Sequence, residues 1–159
     1  MLPIAYTQPD RRSAAPLRTE RIAEARDFAA LGDEWNELLR DSDSSNVFLT
    51  WEWLHAWWTR FGGHSGLNIV LVRAGDELVA AAPLLRTRAA LPWLTRLEFL
   101  GTGLAGSDYL DLIVRRGYEE TCLPRLEDAI VSSGDNLPPP PGARSRSRKV
   151  PPSTYCITR

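Results

Sequence analysis

The segment Thr50–Gly63, TWEWLHAWWTRFGG, places four tryptophans within eight residues. Each indole carries so much apolar surface that the segment must lie against another layer of structure to be tolerated in water. Leu54, Trp57, Trp58 and Phe61 recur at the offsets of one helix face, so the spacing predicts an amphipathic helix. Thr50 is suited to cap its first turn, Glu52 complements the helix dipole there, and Gly62-Gly63 stops it. The apolar girth predicts a helix sandwiched between a second helix and a sheet, with Trp57 and Phe61 among the least exposed side chains. The competing use of such a helix is to let one or two indoles, Trp53 among them, line a substrate cleft.

The flanking sequence supplies those layers. Upstream, Phe28, Leu31, Trp35, Leu38 and Leu39 mark one helix from Asp27, with Asp27 as its N-cap, and a short strand is expected near Leu17–Ala25. The polar run DSDSSN makes a turn. Downstream, Leu67–Arg73 and Leu78–Leu85 read as a hairpin about Ala74-Gly75-Asp76, with Pro83 forcing an edge, a bulge or a splay. Leu97–Leu100 and Tyr109–Val114 read as further strands, and a helix follows Gly117 with Leu123, Leu126 and Ile130 on one face. The fold class is therefore α/β (α+β), a mixed sheet with helices packed on it.

The domain spans residues 17–131. A polar lead-in, 1–16, and a tail, 132–159, with six prolines between Pro138 and Pro152, are expected to be disordered. The abrupt change after Val131 reads as a truncation or an altered reading frame. An apolar fraction of 43% over 159 residues is enough for one such domain. The net charge of −1 hides a basic tail: Gly142–Arg159 holds five basic residues and no acidic one, leaving 14 basic against 20 acidic residues in Met1–Pro141. An acidic body excludes a nucleic-acid surface. Cys122 and Cys156 form neither a CxxC nor a Cys/His cluster, so no metal site is expected and a reducing cytoplasm fits. No apolar run reaches the length of a bilayer span.

In order from Phe28 to Val114, the stretches FAALGDEWNELL, NVFLTWEWLHAWWTRFGG, LVAAAPLLR and RLEFLGTGLAGSDYLDLIV resemble GNAT-type N-acetyltransferases of the cellulose-biosynthesis (CelD/BcsL-like) group. The resemblance covers a little over half the chain. It implies an incomplete GNAT-like lobe of a transferase. In the complete protein that enzyme would move an acyl group from acetyl-CoA or another acyl-CoA to a small-molecule amine acceptor, a sugar or cell-envelope precursor. The acyl-CoA site is expected in a second lobe, so no cofactor is expected on this fragment, and a non-catalytic fragment or binding module is the alternative.

Gly101–Gly106 reads GxGxxG, but the following Ser107–Leu112 has a period of two and opens no helix, which excludes a dinucleotide site. Glu98-Phe99-Leu100-Gly101-Thr102-Gly103 matches the spacing of the acetyltransferase phosphate loop, with glutamate where that loop carries Gln or Arg. The segment is thus either a crossing between strands or a substrate-facing loop. The candidate substrate-binding residues are Trp53, Gly103, Ser107, Asp108 and Tyr109. Asp108 or Asp111 is a possible base, and His55 and His64 read as surface and loop histidines.

Overall fold

The computed structural model describes residues 15–63, 65–88, 95–103 and 110–135. Ser107, Asp108, Tyr109 and His64, the lead-in 1–14 and the tail from 136 onward lie outside them. The elements in chain order are strand β1 (Leu17–Ile22), helices α1 (Ala25–Ala29) and α2 (Gly32–Arg40), a 3-10 turn at Val47–Leu49 and helix α3 (Trp51–Phe61). Strands β2 (Gly66–Leu67), β3 (Ile69–Ala74), β4 (Glu77–Ala82), β5 (Leu84–Arg88), β6 (Thr95–Phe99) and β7 (Ile113–Val114) follow, and helix α4 (Glu119–Asp135) closes the described chain. The architecture is α+β, and every ladder among the described residues is antiparallel.

The helix expected from Asp27 is two helices. Ala30 and Leu31 donate to Arg26 and Phe28, and the chain restarts at Gly32 with Trp35 N–H bonded to Leu31. The interruption has a packing reason: the Trp51 indole lies against the Gly32 backbone, where an added Cβ would sit 3.4 Å from the ring. Asp27 falls inside the first turn of α1 and caps nothing. Thr50 does cap α3, accepting from Trp53 N–H. Asn36 also closes that end, accepting from Trp51 N–H and donating to Glu52.

The sheet is built on one long hairpin. Its arms are β2–β3 and β5–β4, turning at Gly75-Asp76. Val70 faces Ala82 and Leu67 faces Leu85, so pairing keeps one register past the interruption at Asn68 and Pro83. The partner on the far side of the β4–β5 arm changes there. β6 runs along β5 as far as Leu100, whose N–H bonds Pro83 O at 2.8 Å. The chain then leaves the edge and returns at Ile113, opposite Ala81. The excursion, described at Gly101–Gly103 and Leu110–Leu112, advances the pairing by two positions on the arm. Pro83 sits at the switch because it has no N–H to return to Leu100, so the ladder ends there without orphaning a donor. Of the strand expected over Tyr109–Val114, Ile113–Val114 pair and Leu110–Leu112 stay outside the ladder, because the edge beyond Ala81 is taken by β6 at Pro83; Tyr109 lies outside the described residues.

Two apolar layers cover the sheet. On one face Phe28, Trp35, Leu38, Leu49 and Leu54 pack on Leu67, Ile69, Leu71, Ala81, Leu85 and Ile113. On the other, Tyr118, Cys122 and Leu126 of the α4 region pack on Val70, Val72, Ala80, Ala82 and Leu84. β3 and β4 are buried on both faces, which their unbroken apolar runs require. The expectation for α3 is corrected here. Its stripe is only partly covered: Leu54 is fully buried, Trp57 and Trp58 are half-buried, and Phe61 is 52% exposed. The tryptophan at the centre of the core is Trp35 of α2, whose Nε1 donates to Leu49 O at 2.9 Å.

Candidate functional site

The glycine segment owes its shape to its place at the sheet edge. Gly101 and Gly103 have φ of 106° and 99°, values open to glycine but strained for other residues. Thr102 folds back, its N–H and Oγ1 both bonding Phe99 O. No helix starts in Leu100–Gly103, and the described return leg, Leu110–Leu112, has no regular structure before β7. Glu98 lies on β6 opposite Leu85 and pairs with Arg96 at 3.1 Å. A carboxylate at that position, with no helix N-terminus behind the described loop, is the reverse of what a pyrophosphate cradle needs.

Gly103 stands exposed at the outgoing end of the excursion, with nothing within 4 Å of where a Cβ would be. Trp53 is half-buried on α3, its ring edge-on to Phe48 at 5.3 Å. It belongs to the helical layer, whereas Gly103 belongs to the sheet edge. His55 stacks on Trp51 at 4.5 Å and lies 5.7 Å from Phe28, a structural use that leaves it on the helix surface as expected. Cys122 is fully buried on the inner face of α4, and burial pushes its thiol pKa up, so it is neither exposed nor poised as a nucleophile.

The return leg does border a recess. A groove of about 270 Å³ is lined by Asp43, Ser44, Asp111, Leu112, Val114, Glu119 and Leu123. Each carboxylate spends one oxygen on the protein. Asp43 accepts from Arg116 Nε, Asp111 from Leu112 N–H and Glu119 from Gly117 N–H, all at 2.8 Å. Ser44 Oγ donates to Leu112 O, tying the recess to the chain that re-enters the sheet. Next along the chain from the groove-lining Val114, Arg115 is buried and bonded to Asp41 at 2.8 Å, to Glu77 at 3.1 Å and to Leu78 O. Arg116 braces Asp43 and Ser42 O. The recess is therefore small and lined by three carboxylates, one of which, Asp43, is paired with Arg116.

Elsewhere the charged groups are structural. Arg73 grips Glu34 through two nitrogens at 2.7 and 2.8 Å and Glu20 at 3.2 Å, joining α2 to the β1–β3 pair. Its pKa is raised because the Glu34 hydrogen bond outweighs the effect of burial. Among the described residues no group of His, Cys, Asp and Glu is arranged to hold a metal, and no helix is long and apolar enough to cross a membrane. Asp111, a possible base in the sequence, lines the groove, whereas Asp43 and Glu119 beside it and the buried Arg115 were not singled out. The available signal was an arginine directly after the apolar pair Ile113-Val114, where a strand should have ended. No family model, curated protein or solved structure matches the chain.

Proposed function

We propose that this chain is the acceptor-binding lobe of a cytoplasmic, GNAT-type, acyl-CoA-dependent N-acyltransferase, holding the amine of a sugar or cell-envelope precursor for a partner lobe that carries acyl-CoA. One observation supports it above the others. The groove at the return leg of the glycine excursion is rimmed by Asp43, Asp111 and Glu119. Three carboxylates favour a cationic ammonium group and repel a pyrophosphate. At about 270 Å³ the groove admits a small polar group rather than a nucleotide.

Acyl transfer to an amine needs the ammonium positioned and then relieved of one proton. Asp111 suits both parts: one of its oxygens is fixed by Leu112 N–H, and it lies on the groove wall. The resemblance of the tryptophan helix and the glycine segment to acyltransferases supplies the reaction class. A binding module without turnover is the second reading, favoured by the way His55 and Cys122 are committed to packing.

Calorimetric titration separates the possibilities. Glucosamine should bind and N-acetylglucosamine, which lacks the cationic amine, should bind at least about tenfold more weakly; Asp111→Asn should erase the difference. Equal affinity for the two sugars, or none for either, overturns the acceptor reading. Micromolar binding of acetyl-CoA, abolished by bulkier residues at Gly101 and Gly103, would instead place the acyl donor on this chain.

A further inference from the structure

Strands β2, β5 and β6 form a three-stranded outer sheet beside the β1-β3-β4-β7 sheet, and it ends on β6, whose far side pairs with no strand among the described residues. A free edge presents a row of N–H and C=O groups that invites another strand. Which residues face outward follows from the ladder. Leu100 N–H bonds Pro83 O, so Leu100, Glu98 and Arg96 turn their backbone groups toward β5. Antiparallel alternation then turns those of Thr95, Leu97 and Phe99 outward. Asn68 N–H bonding Leu84 O agrees, because it directs Leu84 away from its β6 partner Phe99.

The sequence of β6, TRLEF, is complementary to itself. If a second copy of the strand lies antiparallel about a two-fold axis at Leu97, Leu97 faces its own equivalent as a hydrogen-bonded pair, the parity the outward groups require. Arg96 then faces the second copy's Glu98, and Glu98 the second copy's Arg96. These fall at the non-hydrogen-bonded positions, where side chains approach most closely and opposite charges contribute most. On the other face the partly buried Leu97 and Phe99, the latter packed against the core beneath α4, would continue into an apolar row with their equivalents. Shifting the register by two residues in either direction breaks the charge match.

We propose that β6 is a self-recognition edge through which two copies of this chain join their outer sheets in an isologous dimer. Phe99 C=O already accepts from Thr102. The direct bonds across the axis are therefore Leu97 N–H to the opposite Leu97 C=O, and Phe99 N–H to the opposite Thr95 C=O, each occurring twice. A five-residue strand pair buries less than the roughly 1,000 Å² of a stable interface, so the dimer is weak and concentration-dependent.

Sedimentation equilibrium of the full chain, from roughly 10 µM to roughly 1 mM where such small interfaces associate, reads it directly. Wild type should dimerise across that range. Arg96→Glu and Glu98→Arg should each weaken the dimer about tenfold or more, since like charges then face each other twice. An equimolar mixture of the two variants should recover dimer, because every facing pair is again opposite, and the double variant R96E/E98R should dimerise alone. Leu97→Pro removes an outward N–H without touching the β5 ladder and should abolish the dimer while far-UV circular dichroism stays unchanged. A wild type that is monomeric throughout, single variants that dimerise like wild type, or a mixture that stays monomeric each overturns the proposal.

Discussion

Trp35 and Trp57 present the same side chain in opposite hydrogen-bonding states, and replacing each with phenylalanine should move stability in different directions. Trp35 is fully buried and its Nε1 donates to Leu49 O at 2.9 Å. Trp35→Phe leaves that carbonyl unpaired, about 1–3 kcal/mol, and opens a void of roughly 40 Å³, worth about 1 kcal/mol. The expected loss is about 2–4 kcal/mol. Trp57 is half-buried, but its Nε1 is itself buried and has no acceptor among the described residues. Trp57→Phe removes the orphan donor, a gain of about 1–3 kcal/mol, against a packing loss under about 1 kcal/mol for a partly solvated ring. The net change should lie between neutral and about 2 kcal/mol of stabilisation. Urea unfolding of the two variants should place their midpoints about 1 M or more apart. A Trp57→Phe loss as large as that of Trp35→Phe would refute the reasoning, since it would mean that the Trp57 indole N–H is paired in solution.

Three other substitutions test the frame around the site. Pro124 sits exposed in the second turn of α4, where it denies Glu120 C=O its intrahelical donor; Pro124→Ala should stabilise the chain by roughly 1–3 kcal/mol in thermal or urea unfolding. Arg115→Met should destabilise by about 2–3 kcal/mol, at the lower end of the cost of breaking a buried pair because Asp41 and Glu77 are 43% and 40% exposed and stay hydrated. Burial raises the Cys122 pKa, so the unfolded chain loses its thiol proton first as pH rises. The stability contributed by the neutral buried thiol is complete below the unfolded-state pKa and falls as pH climbs toward the folded one. Unfolding midpoints should drop more steeply with alkaline pH for wild type than for Cys122→Ala, and equal slopes would count against the assignment.

Much of the layer structure was legible in side-chain spacing. Phe28, Leu31, Trp35, Leu38 and Leu39 are all buried as their offsets predict, because a helix face against a sheet leaves apolar residues nowhere else to go. Thr50 as a cap, the turn at Gly75-Asp76 and an irregularity at Pro83, expected as an edge, a bulge or a splay, were equally readable, since each depends on local backbone chemistry. What periodicity misread was the extent of burial on α3. Its stripe is genuine, yet a stripe reports amphipathicity and not how much of the neighbouring layer reaches it. Phe28 and Trp35 of α1 and α2 take the position over the sheet that Trp57 and Phe61 were expected to fill.

The candidate site was less legible for a reason that lies in the sheet edge. The alternation in Tyr109–Val114 is what a strand would show, but a strand also needs a free edge of matching length, and no single segment records how much of that edge another strand occupies. Here β6 holds it through Leu100 and Pro83 withholds a donor beyond, so among the described residues of that segment Ile113 and Val114 alone pair with β4. Leu110 to Leu112 are left outside the ladder, and their release turns Asp111 toward Asp43 and Glu119 around the groove. The groove thus lies where Leu110–Leu112 run outside the ladder and pairing on that edge passes from β6 to β7. Pro83→Ala restores an N–H facing Leu100 and should strengthen the β6 end of the ladder. Amide exchange at Leu100 should slow in this variant. If the acceptor reading holds, glucosamine affinity should be preserved, because the return register at Ile113 and Ala81 is untouched. An unchanged exchange rate at Leu100 would mean that Pro83 is not what ends the pairing there.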